Sequence, residues 1–452
     1  MQNRLNFLTE NSLAFRVFLF SLVAKFLLAF FLPVVGDESY YFVWGQNLQL
    51  SYFDHPPAVA WLTWISNQIY QILPLSWSGL SIRIPFIALS SLTYLVWLKA
   101  YLLENHNDDN IHYFTILYFL NPLLGVGGIF ATPDVPLIFF WSMAYYAILK
   151  IRSSQSIRWY SILGISLGLG FCSKYHIVIL PISIVASLFF LRDLKSIQLR
   201  KLIYTIVFGF LFSLPVLIWN YQNDWSSFLF QLNHGLNAQK NYDIVWTLSY
   251  LLGQILLFNP IVLYYVIKNI KKSLTRNVAL SQWFFFIFSS FKALVEANWP
   301  VTSHAQALVS LKADFKQFFK ISLIYWCVIW LAFLGYGLSS SGEKKFTRFP
   351  QSHAAQEIYD LTRDFRPLFG PTYQMASLMH VISNEPIFKL ADLSRHDFYD
   401  SLKASKPSIN IKKFYVLKYV ETDWPGWTGS YRRVKAMSIE KYDLELYELA
   451  YE

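Results

Sequence analysis

The chain has 452 residues, of which 55% are apolar and 19% aromatic, while Asp, Glu, Lys and Arg together make up only 15%. So little charge on so much apolar chain excludes an ordinary soluble domain. The net charge of +10 does not point to nucleic acid: residues 341–452 are nearly balanced at 16 basic against 15 acidic, and the excess lies in residues 1–340, at 22 against 13, in short loops between apolar runs, where membrane topology is set.

Residues 1–340 therefore read as a membrane domain and residues 341–452 as a small polar one. Apolar runs long enough to cross a bilayer lie near 13–33, 80–100, 112–128, 134–150, 158–172, 176–191, 202–219, 245–267, 278–295 and 320–338, with a weaker one near 299–311. At about 20 residues per span these predict about eleven helices. The first run has no small-residue cleavage site behind it and is expected to be a retained helix. Basic clusters at Arg4 and Arg16, Lys150 to Arg158, Arg192 to Lys201, Lys268 to Arg276 and Lys312 to Lys320 fall in alternate loops. With the N-terminus inside, these face the cytoplasm, and the C-terminal domain is expected outside. Cys172 and Cys327 both lie in apolar runs, so neither a disulfide framework nor a thiolate metal site is expected.

This topology leaves a short list of charges on or near the outer face. The acids are Asp37, Glu38, Asp54, Asp134, Asp224, Asp243 and Glu296; the cations there or within the membrane are Lys25, Arg83, Lys174, Lys240 and Lys292. An ionisable group near hydrocarbon is costly unless paired or solvated, so each marks a candidate site. The first outer loop, residues 34–79, has no Lys or Arg. Its aromatic stretches around Tyr40–Trp44 and Trp61–Tyr70 read as interfacial helices. Asp37 and Glu38 are adjacent, roughly 100° apart on a helix, so one of them at most points into a given site. Asp37 is the choice for that role, and the competing reading is that it caps a helix beginning at Glu38.

Several motifs stand in order along the chain. They are Gly36-Asp37-Glu38-Ser39-Tyr40-Tyr41, Tyr52-Phe53-Asp54-His55-Pro56-Pro57, Thr132-Pro133-Asp134-Val135-Pro136, Ser173-Lys174-Tyr175, Trp219-Asn220, Asn223-Asp224-Trp225, Ala297-Asn298-Trp299-Pro300 and Tyr373-Gln374-Met375-Ala376-Ser377. In this topology the set resembles the GT-C class of glycosyltransferases that use polyprenyl-phosphate sugars, which includes protein mannosyltransferases and lipid A aminoarabinose transferases. The resemblance implies a multi-spanning helical membrane protein with a small α/β extracytoplasmic domain. It also implies an inverting transfer of a monosaccharide to an envelope glycolipid such as lipid A, or to a protein hydroxyl, with an acid of the first outer loop, here Asp37, as base.

The departing phosphate gains charge and needs cations. Lys174, Arg83 and Lys240 are available, and the Ser-Lys-Tyr match favours Lys174 as a ligand over an interfacial lysine. Arg83 reads equally as a phosphate contact or a headgroup anchor. Asp134 follows Thr132-Pro133 as any helix start would, and the resemblance adds the reading of a second site acid beside Asp37 and Glu38. Asp54 and His55 before Pro56-Pro57 read as a helix start or as substrate or metal contacts. Tyr175, Asn298, Tyr373 and Gln374 join the substrate set through their motifs, and Arg395 stands with the last two; for the tail residues, plain domain packing is the alternative. A divalent cation is left open, because Asp37, Glu38, Asp54, His55 and His234 follow no metal spacing. A transporter or flippase competes as a reading, but no internal repeat is visible and the acids gather at the outer boundary rather than at the midplane. A noncatalytic scaffold would not require the motifs in this order.

Overall fold

The structure is a computed structural model and describes residues 12–105, 110–236, 242–268, 273–311, 315–337, 349–406, 413–428, 430–439 and 442–449. The chain divides into two compact units. One comprises Met1–Leu28, Leu50–Val59 and Ile84–Phe333; the other comprises Ala29–Gln49, Ala60–Arg83 and Leu334–Glu452. The polar tail expected from residue 341 onward thus belongs to a compact unit that also takes in most of the first predicted outer loop.

In the first unit, apolar sequence becomes helix wherever no Pro, Gly or Asn intervenes. The helices are α1 (Ser12–Phe31), α4 (Ser78–Glu104), α5 (Ile111–Leu120), α6 (Asp134–Ser154), α7 (Ile157–Phe171), α8 (Ile179–Phe190), α9 (Leu202–Gln222), α10 (Ser226–Leu236), α11 (Ile244–Phe258), α12 (Pro260–Lys268), α13 (Leu274–Ser290), α14 (Val301–Val309) and α15 (Phe315–Gly337). The last three residues of α1 and the first six of α4 fall in the second unit. Among the described residues five helices are long and apolar enough to cross a membrane: Leu13–Phe31, Leu75–Glu104, Asp134–Ser154, Leu199–Gln222 and Lys316–Gly335. They become six if α11 and α12, bent by 96°, count as one broken span. The bend has a local cause: Asn259 adopts a left-handed φ of 83°, its Oδ1 accepts from the N–H of Ile261 and Val262, and Pro260 opens the next helix.

About eleven helices were expected, one of them weak, and the remaining runs form shorter helices. Asn121-Pro122 ends α5 after ten residues. The weak run near 299–311 yields α14, nine residues long and buried throughout, too short to span at 1.5 Å per residue. Its polar side chains are held among α5, α6 and α13. Helices α7 and α9 approach closely because Gly164 and Gly168 lie one turn apart: a Cβ on Gly164 would meet the Thr205 carbonyl oxygen at 2.5 Å, and one on Gly168 the Gly209 carbonyl oxygen at 2.6 Å. Small residues at such spacing let membrane helices touch backbone to backbone. Trp97, Tyr101, Trp141 and Tyr145 lie in the core of this unit. Lys25, buried within α1, donates to Ser90 Oγ at 3.0 Å and lies 5.5 Å from the Phe119 ring centroid.

The second unit is built on α2 (Gly36–Gln46), α3 (Ala58–Tyr70, whose first two residues count with the first unit), α16 (Phe349–Leu361), α17 (Tyr373–Ser383) and the short α18 (Phe398–Ser401). Its strands are β1 (Leu368–Gly370), β2 (Phe388–Lys389), β3 (Phe414–Tyr419), β4 (Tyr431–Ile439) and β5 (Tyr442–Leu449). They form one sheet in the order β2-β1-β3-β5-β4, with β1 parallel to both neighbours and β5 antiparallel to β3 and β4. The expected small α/β domain is present. Tyr40–Trp44 is helical as expected and buried, since Tyr40 packs at a tilt against Tyr373 and stacks on Tyr399, and Trp44 meets Phe398. These rings are buried against protein. Trp64 and Ile65 of α3 remain exposed.

Candidate active site

The second predicted outer loop and two later motifs meet at one carboxylate. Thr132-Pro133 places Asp134 in the first turn of α6, Lys174 is the N-cap of the 3-10 turn (Tyr175–Val178) after α7, and the segment before α14 carries Asn298. Lys174 Nζ donates to Asp134 Oδ1 at 2.7 Å, and Asn298 Nδ2 donates to Asp134 Oδ2 at 2.5 Å. The Lys174 and Asp134 side chains keep 11% and 13% of their surface exposed. Each oxygen of the acid thus has one donor, while the ammonium has spent one of its three N–H groups on it. Such an arrangement orients a cation for a further anion.

Tyr175 opens that 3-10 turn, and its hydroxyl lies 2.9 Å from Ser227 Oγ. Asn220 is buried and shapes the nearby turn, with Oδ1 accepting from the Phe228 N–H at 3.2 Å. Asp54 is buried and its backbone carbonyl accepts from Gln231 Nε2 at 2.5 Å. His55, half-buried, and Lys174 both lie within electrostatic reach of His176. Lys240 lies outside the described residues. Among the described residues no group of three His, Cys, Asp or Glu side chains is placed to hold a metal ion.

In the second unit the sequence Val35-Gly36-Asp37-Glu38 begins α2. The helix starts at Gly36 with Val35 as N-cap, and Glu38 reaches back to accept from the Val35 N–H at 3.2 Å. Capping therefore falls to Glu38 and not to Asp37, which sits half-exposed in the first turn where the helix dipole favours an anion. Glu38 itself is fully enclosed. Arg83 Nε donates to its Oε1 at 2.9 Å and Arg83 Nη2 to its Oε2 at 2.6 Å.

The other guanidinium N–H groups of Arg83 go to the end of α1 and the residues after it: Nη1 donates to the carbonyls of Ala29 at 3.1 Å and Leu32 at 2.6 Å, and Nη2 to that of Pro33 at 2.8 Å. Both side chains are 0% exposed. All five donors of the fork are spent within the protein. Glu38, placed with the catalytic acids by sequence, is its partner. The cause is the same for both: Pro33 removes helix continuation, and the carbonyls left at the end of α1 need donors.

Asp37, one turn before Tyr40 on α2, comes with the tail. A Cβ on Gly36 would stand 2.7 Å from Gln374 Cβ, so only glycine lets α2 and α17 meet there. Gln374 Nε2 donates to Tyr373 Oη at 2.7 Å, the Tyr373 ring lies 4.4 Å from that of Tyr40, and the Arg395 guanidinium lies 4.5 Å from the Tyr373 ring centroid. Beyond these, burial and the ion pair of Lys389 with Asp397 and Asp400, both at 2.8 Å, fix α18. Burial pushes the Asp397 carboxyl up to about 6 against the pull of Lys389.

Residues 54–219 match the family of dolichyl-phosphate-mannose-protein mannosyltransferases. A lipid A galacturonosyltransferase, RgtD, of Rhizobium johnstonii is 27% identical over 190 residues, which are 42% of this chain and 38% of that protein. The match thus spans well under half of that relative's length. The apo crystal structure of ArnT from Cupriavidus metallidurans superposes with a TM-score of 0.66 at 13% identity, covering 95% of this chain and 97% of that one. The chain has the fold of ArnT. The same ArnT bound to undecaprenyl phosphate matches with a TM-score of 0.63 at 13% identity, over 94% of this chain and 97% of that one. On this ArnT-like scaffold three of the ordered motifs, those of Asp134, Lys174 and Asn298, touch one another. Sequence reasoning named all three but missed the backing of Asn298: Gln254 Nε2 donates to the Ala297 carbonyl at 2.9 Å and Gln254 Oε1 meets His304. A Gln and a His inside apolar runs were the only signal.

Proposed function

We propose that the protein is an inverting glycosyltransferase of the bacterial inner membrane. It moves a monosaccharide from a polyprenyl-phosphate donor to a hydroxyl of an envelope glycolipid of the lipid A type. The observation that carries this reading is the Lys174–Asp134–Asn298 constellation on an ArnT-like fold. Asp37 takes the proton of the acceptor hydroxyl as that oxygen bonds to the anomeric carbon, and the bond from this carbon to the phosphate oxygen breaks with inversion. The departing phosphate ester gains negative charge, which the Lys174 ammonium offsets. The donor needs no nucleotide, which suits an extracytoplasmic site. That side follows from the alternation of basic loops.

A glycolipid acceptor is supported by the named activity of the Rhizobium relative. A protein hydroxyl is the second reading, supported by the matched mannosyltransferase family. Mass spectrometry of envelope glycolipids and glycoproteins from cells with the wild-type gene, a deletion and Asp37→Asn tests both. A monosaccharide-sized mass present only in the wild type names sugar and acceptor. Asp37→Asn is expected to insert and fold normally and to lose about 100-fold or more in turnover, and near-normal turnover would remove Asp37 from the mechanism.

A further inference from the structure

Helix α14 is buried along its whole length yet carries Thr302, Ser303, His304 and Gln306. Buried polar groups persist where they are hydrogen-bonded, and for His304 the partners resolve atom by atom. Its Nδ1 lies 3.1 Å from Asn121 Nδ2, and its Nε2 lies 3.0 Å from Gln254 Oε1. Backbone groups fix both amides. Asn121 Nδ2 also donates to the Leu257 carbonyl at 2.9 Å, while its Oδ1 accepts from the N–H of Leu123 at 3.1 Å and Leu124 at 3.2 Å. Gln254 Nε2 donates to the Ala297 carbonyl at 2.9 Å. A carbonyl only accepts and an N–H only donates, so neither amide can be turned over. His304 is therefore held as one neutral tautomer, accepting at Nδ1 and donating from Nε2.

The chain of contacts continues to the site. Ala297 precedes Asn298, whose amide donates to Asp134 Oδ2, and Asp134 Oδ1 receives the Lys174 ammonium. We propose that His304 is a positioning residue for donor binding. By fixing Gln254 it fixes the Ala297 carbonyl, hence Asn298, and hence the direction in which Asp134 presents Lys174 to the donor phosphate. With an apolar residue at 304, Gln254 Oε1 loses its buried donor and the amide has reason to leave Ala297. The inference rests on the donor reading given above.

The test is a double-mutant cycle on the full-length protein in detergent, with undecaprenyl phosphate as the probe. Its variants are His304→Leu, Asn298→Ala and the two combined. Each single change is expected to weaken probe binding about tenfold, and the pair no more than Asn298→Ala alone, because both cut one relay. His304→Gln, which can both donate and accept, is expected to recover part of the loss. If His304→Leu does not accumulate as folded protein, Gln254→Met is cycled against Asn298→Ala and read in the same way. Additive losses, or wild-type binding by His304→Leu, overturn the relay. If the wild type itself fails to bind the probe, the donor reading falls and the relay falls with it; binding with an additive cycle removes the relay alone.

Discussion

Two ion pairs, one in each compact unit, show how similar contacts serve different ends. Arg83–Glu38 closes at 2.6 Å and Lys174–Asp134 at 2.7 Å, but the first pair is 0% exposed on both sides and the second keeps 11% and 13%. Arg83 spends its whole fork on a carboxylate and three carbonyls around the end of α1. Lys174 spends one donor and holds it on an acid that Asn298 steadies. A charge with every donor used inside the protein stabilises a turn; a charge with donors in reserve near the surface has something to offer a ligand. Exposure and donor use, more than distance, separate the structural pair from the candidate binding pair.

The largest effect is expected where the buried pair is cut. Arg83→Ala strands the Glu38 carboxylate and is expected to cost about 3–5 kcal/mol, read as a fall in the unfolding temperature or in the folded yield of purified protein. A variant that folds normally but binds donor poorly would move Arg83 into the site and erase the contrast. Lys174→Ala is expected to cost less stability than Arg83→Ala, because Asp134 keeps 13% exposure and its Asn298 donor, while weakening donor binding about 10-fold to 100-fold. Equal losses in stability and binding would make the two pairs alike. Gly36→Ala sharpens the picture of the Asp37 turn, since its Cβ meets Gln374. A cost of about 1–3 kcal/mol is expected, with turnover falling more than donor affinity, checked by steady-state rates beside probe binding.

The smallest effect concerns Asp397. Its folded pKa, about 6, lies above the ordinary carboxylate value of 3.8, so between these values the folded protein holds a proton that the unfolded chain has lost. The stability this contributes is present below about pH 4 and lost as pH rises through about 6. Asp397→Asn is expected to flatten that decline in unfolding temperatures taken on the full chain at pH 4, 5 and 6. An unchanged slope would assign it to another group.

Composition alone marks the apolar part, because 55% apolar residues with so few charges do not suit an ordinary soluble domain, and five described helices are long and apolar enough to cross a membrane. The ordered motifs make Asp134, Lys174 and Asn298 legible as candidates, since an acid, a cation and an amide are short-range chemistry written in residue type. Span number is less legible: hydropathy sees an apolar run near 112–128 but not that Asn121-Pro122 ends the helix, nor that 299–311 would be a short helix buried inside protein.

Partners were not legible at all. Nothing in the linear order says that Arg83 would find Glu38 45 residues away, or that Asn298 would find Asp134 across 164. The sequence determined which groups exist, which segments are oily and which acids have to be accounted for. The tertiary structure decided which of those charges have every donor used inside the protein and which keep donors in reserve, because the worth of a charge depends on its burial and its hydrogen-bond partners, and packing fixes both.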